Sequence, residues 1–348
     1  MKKSVKITLI AVAAVFGALL ATLLLFTAII GIYSAGLKVS SRTTPFTENW
    51  MADITDSALV KEIVIPGSHD AGTSTLNWLG KTQEAEIGTQ LEMGTRYFDL
   101  RVRKKNDKLF IYHGPLTGAE FEPILQSFKN FLVNHPTETV ILDFQHFDAS
   151  NDDVAALVKL VLCGEKTDYV VRNTSEAPDV DFIDSLALSA CRGKALVFWG
   201  SDSDPNLSEP YLFKRNNDGG GRTGACLQSY YESEHNKKSS TKYIAEGLPE
   251  YIEKYKACGK GLFVLQSQLT DGVFIFGPKF RERSHRKNMS DYINALANSE
   301  DLKYINIIMR DFVDGEINCE IIKLNLDKNV VKPDQTENFT EAVNEFIK

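Results

Sequence analysis

The sequence predicts an α/β fold: a single, irregular (β/α) barrel preceded by an N-terminal transmembrane helix. Three observations carry this. Short β-branched runs alternate with helical stretches from about Trp50 onward. Several of those runs end in a breaker followed by titratable residues, as in Ile63-Val64-Ile65-Pro66-Gly67-Ser68-His69-Asp70. An uncharged stretch, Ile7–Leu37, stands at the head of the chain. A doubly wound open sheet is the alternative, but no Gly-x-Gly-x-x-Gly follows the first strand.

The uncharged stretch exceeds the ~20 apolar residues that span a bilayer, and the ~7–15 of a secretory signal core. An uncleaved anchor is therefore favoured, with Ser34-Ala35-Gly36 as a cleavage site if the segment is a signal. Lys2, Lys3 and Lys6 precede it and Lys38 and Arg42 follow, a weak bias toward a single-pass protein with its domain outside the cytoplasm, or secreted if cleaved. The chain has 39 basic and 46 acidic residues, and a pI near 5.5 argues against a nucleic-acid partner. Five cysteines without a Cys-x-x-Cys pair exclude a zinc ribbon and leave at least one free thiol; one or two disulfides stay open. The expected organisation is an anchor or signal over 1–37, a linker over 38–49, the barrel over 50–324 and a peripheral polar tail over 325–348.

Trp50–Leu59 reads as a short helix leading into the first strand, and Glu84–Met93 as a helix closed by Gly94. Arg96–Arg103 is the second strand. Alternation puts Asp99 and Arg101 on one face and Phe98 and Leu100 on the other, so the charged pair points into the barrel. Leu109–Tyr112 returns as a strand ending in His113-Gly114-Pro115. Phe121–Asn134 is an amphipathic helix. In the strand Thr139–Phe147, Asp143 and Gln145 face one way and Leu142, Phe144 and His146 the other, which makes His146 structural. Val154–Leu162 is helical and Ala195–Gly200 a buried strand. Asp202–Gly224 reads as a polar, glycine-rich loop, Cys226–Tyr231 as a strand and Lys242–Lys256 as a helix. Gly261–Leu269 is a strand, Met289–Asn298 a helix and Tyr304–Phe312 the last strand.

Closing the barrel sets the last strand beside the first and Asp311 beside His69. A carboxylate on one imidazole nitrogen fixes the tautomer and raises basicity at the other. His113, oriented by Asp99 or Asp70, is the paired acid, with Arg101 between. Two histidines flanking an arginine suit in-line displacement at phosphorus. No Gly-x-Ser-x-Gly is present, so a covalent serine mechanism is disfavoured.

At these residues the chain resembles the catalytic X domain of phosphatidylinositol-specific phospholipase C, in its metal-independent bacterial and X-domain-only eukaryotic forms. The resemblance runs from about Trp50 to Asp314. It rests on Ile-Pro-Gly-Ser-His-Asp (65–70), Arg-Tyr-Phe-Asp-Leu-Arg (96–101), His-Gly-Pro-Leu (113–116), Val-Ile-Leu-Asp-Phe-Gln-His-Phe (140–147) and Asn-Ile-Ile-Met-Arg-Asp-Phe-Val (306–313). It implies a distorted TIM barrel. It also implies attack of the inositol 2-hydroxyl on the phosphodiester, giving diacylglycerol and a cyclic inositol phosphate. Carried over, His69 is the general base, His113 the general acid, Arg101 the phosphate clamp and Asp311 the orienter of His69, with Asp70 and Asp99 in support. Arg101 stands where calcium-dependent relatives carry an acidic residue, which implies no metal and no cofactor. Arg192 and Tyr231 match inositol-binding residues. At further inositol-binding positions this chain has Gln145 and Ser229, with Asp143 beside Gln145.

The expected substrate is a phospholipid in a bilayer, with no protein partner. Rival readings are a lipid-binding barrel without turnover and a phosphodiesterase for another head group. Trp78, Leu79, Phe274 and Phe276 read equally well as an apolar rim dipping into the bilayer or as core.

Overall fold

The computed structural model describes residues 3–164, 168–200, 209–270 and 276–347. It forms two compact units, Met1–Lys38 and Val39–Lys348. In the first, Lys3–Ala35 is one helix, and Ile10–Ala35 is long and apolar enough to cross a membrane, with mean hydropathy 2.5. Within it Thr22 donates to the Ala18 carbonyl and Thr27 to that of Leu24, so these hydroxyls are satisfied inside the helix.

The second unit is built on ten strands. They are β1 (Ile65–Ser68), β2 (Tyr97–Lys105), β3 (Lys108–His113), β4 (Leu116–Glu120), β5 (Thr139–Asp148), β6 (Lys194–Trp199), β7 (Leu212–Lys214), β8 (Leu227–Ser229), β9 (Leu262–Gln266) and β10 (Ile307–Arg310). Eight of them run parallel in the order β7-β6-β5-β2-β1-β10-β9-β8. β1 pairs with both β2 and β10, so the first and last strands are neighbours, as barrel closure requires. Between β7 and β8 the ladder shrinks to two backbone bonds: Cys226 N–H to the Lys214 carbonyl and Asn216 N–H to that of Leu227, both 2.7 Å. The barrel therefore nearly closes, at its weakest seam. β3 and β4 continue from β2 as antiparallel strands; β2 turns into β3 at Asn106 and Asp107, whose φ values of 49° and 59° suit these residue types, and β3 into β4 at Gly114-Pro115. β4 was not foreseen in the sequence.

Alternation along the strands sets the core. Ile65, Tyr97, Ile141, Leu196, Val264 and Met309 fill the barrel interior. Phe98, Leu100, Leu142 and Phe144 face outward beneath the helices Phe121–Asn134 and Asn151–Leu162. Just ahead of β2 and β5 lies a buried Arg96–Glu138 ion pair at 2.8 Å; Arg96 also donates to four backbone carbonyls, so neither charge is left unpaired.

Several expectations are corrected. The C-terminal tail is not peripheral: Thr336–Ile347 is a helix whose Phe339, Val343 and Phe346, at helical spacing, are buried in the core. The 38–49 linker contains the helix Pro45–Asn49, capped by Thr44, with Phe46 edge-on to Phe339. Trp50–Leu59 is not one helix; a 3-10 turn covers only Trp50–Asp53. The Lys242–Lys256 helix is interrupted by a wide turn at Tyr243–Gly247, ahead of Pro249. The helix placed at Met289–Asn298 starts earlier, spanning Gly277–Leu296. All five cysteines are free thiols.

Candidate active site

His69 follows β1, and Asp311 follows β10, so the strand pairing alone brings them together. His69 Nδ1 lies 2.7 Å from Asp311 Oδ1. The chain turns sharply just beyond each: Asp70 (φ 43°) and Phe312 (φ 48°) are both left-handed. Non-glycine residues adopt this region rarely, and mostly where surrounding contacts enforce it. Here Thr82 and Gln83 do so. The Gln83 amide donates to the carbonyls of His69 (2.9 Å) and Arg310 (3.0 Å), and its Oε1 accepts from Val313 N–H. Thr82 donates to the Asp70 carbonyl, and its own carbonyl accepts from Phe312 N–H. This staple across the two strand ends escaped the sequence reading, since a polar loop pair carries no motif.

Asp99 and Arg101 project inward from β2. Arg101 Nη2 is 3.3 Å from both Asp99 Oδ2 and His69 Nε2. Arg101 Nε and Asp70 Oδ1 form an ion pair at 2.6 Å. The other Asp70 oxygen lies 3.4 Å from His69 Nε2 and 3.5 Å from His113 Nε2. His113 closes β3, and its Nδ1 is 2.8 Å from the Gly80 carbonyl. A carbonyl only accepts, so Nδ1 carries a proton there and Nε2 is directed at Asp70 and the cavity. One carboxylate thus sits among two imidazoles and a guanidinium.

Burial alone would lower the His69 pKa, but the carboxylates of Asp70 and Asp311 outweigh it and raise it to about 9. Burial alone would raise Asp70; Arg101, then His69 and His113, hold it well below the usual carboxylate range. Arg101 is driven upward by Asp70 and Asp99 against its own burial. Donor atoms of His69, Asp70 and Asp99 lie within 4.8 Å of one another, close enough for one cation. The Arg101 guanidinium pairs with the carboxylates of both Asp70 and Asp99.

His69, Asp70, Arg101 and His113 line a cavity of about 180 Å³ at the C-terminal ends of the strands, together with Gln145, His146, Asp218, Tyr231, Gln266 and Thr270. Of the expected substrate-binding residues, Gln145 and Tyr231 reach it. Asp143 and Ser229 do not line it but stand behind two glutamines that do. The Gln145 amide donates to Asp143 Oδ2 (3.1 Å), which also accepts from the Tyr97 hydroxyl (2.6 Å). The Gln266 amide donates to Ser229 Oγ (2.8 Å). Burial raises the Asp143 pKa to about 6 despite its Arg215 partner at 3.1 Å.

Two expectations fail here. Arg192 precedes β6 and so lies at the N-terminal ends of the strands, opposite the cavity. Its guanidinium donates to the carbonyls of Met51, Ile54 and Thr137 and pairs with Asp56. Arg215, just past β7, is the arginine that reaches toward the interior. His146 does not turn away: a register shift between Leu100 and Arg101 pairs Arg101 with His146 instead of Gln145, and the inserted residue reverses the alternation. Among the rim candidates, Trp78 is exposed, Leu79 half-buried, and Phe276 packs on Phe280 at 5.0 Å. Phe274 lies outside the described residues.

Comparison with known proteins supports the same reading. Residues 58–199 match the family model described as phosphatidylinositol-specific phospholipase C, X domain. A 1-phosphatidylinositol phosphodiesterase of Listeria monocytogenes is 26% identical over 80% of this chain and 85% of its own length. One from Staphylococcus aureus is 36% identical over 28% of this chain and 34% of its own. A PI-PLC X-box domain-containing protein of Dictyostelium discoideum is 25% identical over 73% of this chain, which spans only 36% of that relative. Among solved structures, the phosphatidylinositol-specific phospholipase C of L. monocytogenes aligns with TM-score 0.59 at 21% identity, over 80% of this chain and 98% of that one. A variant of the S. aureus enzyme aligns with TM-score 0.61 at 18% identity, over 85% and 100%. At such identity the structures speak to the fold: a barrel with helices, shared along nearly the whole of each neighbour. Over residues 58–199, then, the chain is similar to the phosphatidylinositol-specific phospholipase C X domain.

Proposed function

We propose that this chain is a phosphodiesterase that cleaves phosphatidylinositol-type lipids, without a metal, to diacylglycerol and a cyclic inositol phosphate. The observation that carries this is the Asp70 carboxylate lying 3.4 and 3.5 Å from the two imidazoles and pairing with the arginine between them. His69 Nε2 takes the proton of the inositol 2-hydroxyl. That oxygen attacks phosphorus as the bond to the diacylglycerol oxygen breaks, and His113 protonates the departing oxygen. Arg101 neutralises the non-bridging oxygens. Asp311 holds the His69 ring and stabilises its charged form; Asp99 and Asp70 hold Arg101 and direct His113.

A base raised to about 9 is strong, but it keeps its own proton in the empty site at neutral pH. The reading therefore implies an alkaline rise in kcat/KM. Tyr231 offers an aromatic face to the inositol ring, and Gln145 and Gln266 offer amides to its hydroxyls. The helix Lys3–Ala35 supplies a membrane anchor or a signal segment, with the domain outside the cytoplasm.

The test is incubation with phosphatidylinositol vesicles in excess EDTA, followed by phosphorus NMR. The expected result is a cyclic phosphate signal that disappears with His69→Ala. Absence of product from folded protein, or activity only after a divalent cation is restored, overturns the proposal.

A further inference from the structure

We propose that His146 is a second anion-binding group for the phosphodiester, standing beside Arg101 on the cavity wall. This rests on the reading that the phosphodiester sits on Arg101.

The argument begins with the backbone. β2 and β5 are central, parallel strands, where an inserted residue sacrifices ladder bonding. The insertion nevertheless occurs at the level of Arg101: Leu100 pairs with Phe144, Arg101 with His146, and Gln145 is the extra residue. Bulges re-aim side chains next to sites. In an unbroken ladder the His146 ring would lie with Phe144 beneath the helices. Instead both Gln145 and His146 line the cavity.

The ring is also unclaimed. The other five histidines each have a ring nitrogen engaged: His69 with Asp311, His113 with the Gly80 carbonyl, His135 with Asn49, His235 with Glu250 and His285 with Ser240. Among the described residues His146 has no such partner. The charged groups that face it are Arg101 and Asp99 from β2, Asp70 from beyond β1, and Arg215 and Asp218 from beyond β7. His146 as a residue is exposed to the cavity mouth, yet partial desolvation of its ring and then the Arg101 cation lower its pKa from the ordinary value. A phosphodiester monoanion lodged on Arg101 reverses that bias. It cancels the nearby cation, and a protonated His146 then adds a charge-assisted hydrogen bond to a non-bridging oxygen. Anion binding and proton uptake at His146 are thereby coupled.

The test uses the full chain in detergent micelles, with labelled histidine, and dimethyl phosphate as the probe. That probe stays a monoanion throughout the range used. The expected result is a rise of about one unit in the His146 pKa on binding, equivalent to about tenfold coupling. Dimethyl phosphate should then bind about tenfold more tightly at pH 5 than at pH 7.5, and His146→Gln should lose that difference while keeping its His69 signal. An unmoved His146 resonance while the probe shifts His69, an unchanged pH dependence in His146→Gln, or no binding by the wild type each overturns it. No turnover is involved, so failure of the cleavage reaction is distinguishable from failure of this site.

Discussion

Asp70 is the residue on which the site's charge balance turns. Its carboxylate faces His69, His113 and Arg101, and with Asp311 it lifts His69 to about 9. A raised histidine stabilises the fold in its charged form. That contribution is complete below the unfolded value near 6.5 and is lost as pH climbs through about 9. Thermal unfolding of the wild type should therefore weaken between pH 6.5 and 9.5, and Asp311→Asn should flatten that slope; an equal slope in both would contradict the assignment. The same shift sets kinetics: kcat/KM should rise from pH 7 toward 9, and a plateau already reached at pH 7 would remove His69 as the base.

The two arginines singled out in the sequence separate in the same way. Arg101→Ala should lower kcat by ~10²–10³ and also cost stability, because it removes a transition-state cation and leaves the buried Asp70 and Asp99 carboxylates without their guanidinium. Arg192→Ala should cost stability and leave the kcat of folded protein unchanged, since its guanidinium satisfies three backbone carbonyls away from the cavity; urea unfolding alongside turnover distinguishes them. The His69–Asp311 pair was legible, because strand ends and barrel closure suffice to place it. Arg192 was misplaced by motif matching, although its position ahead of a strand already put it at the wrong end.

At the scale of elements, strand alternation was a good guide until β5. Asp99 and Arg101 point inward as period two requires, but a one-residue bulge reversed the expectation for His146. Nothing in Leu-Asp-Phe-Gln-His-Phe marks an insertion, since a bulge is defined by the partner strand. The C-terminal helix is a different kind of miss. Phe339, Val343 and Phe346 follow helical spacing and were available to be read, but the acidic residues around them gave the segment a solvated look. Phe339 is completely buried, so Phe339→Ala should cost ~3–5 kcal/mol in chemical denaturation. A cost below ~1 kcal/mol would mean that this helix is not part of the barrel's core.

The whole molecule divides at residue 38 into an apolar unit and a charged one. Apart from the three lysines at its head, the first unit has no charge before Lys38; the remainder carries a net negative charge that gives it no attraction to an anionic surface. The proposed membrane attachment therefore rests on the helix Ile10–Ala35. Residues 39–348 expressed alone should unfold at the same temperature as the full chain, and the full chain alone should stay with membranes after alkaline carbonate washing. Retention of the shortened protein would assign attachment to the domain instead.

The central claim is a division of labour, His69 taking a proton and His113 giving one. It is tested by comparing phosphatidylinositol with an inositol phosphodiester whose leaving group is nitrophenolate, which departs without a proton. The account predicts that the loss of rate in His113→Ala shrinks by at least ~10² on the nitrophenyl substrate, the range a general acid contributes, while the loss in His69→Ala persists. Equal losses on both substrates in His113→Ala would contradict it.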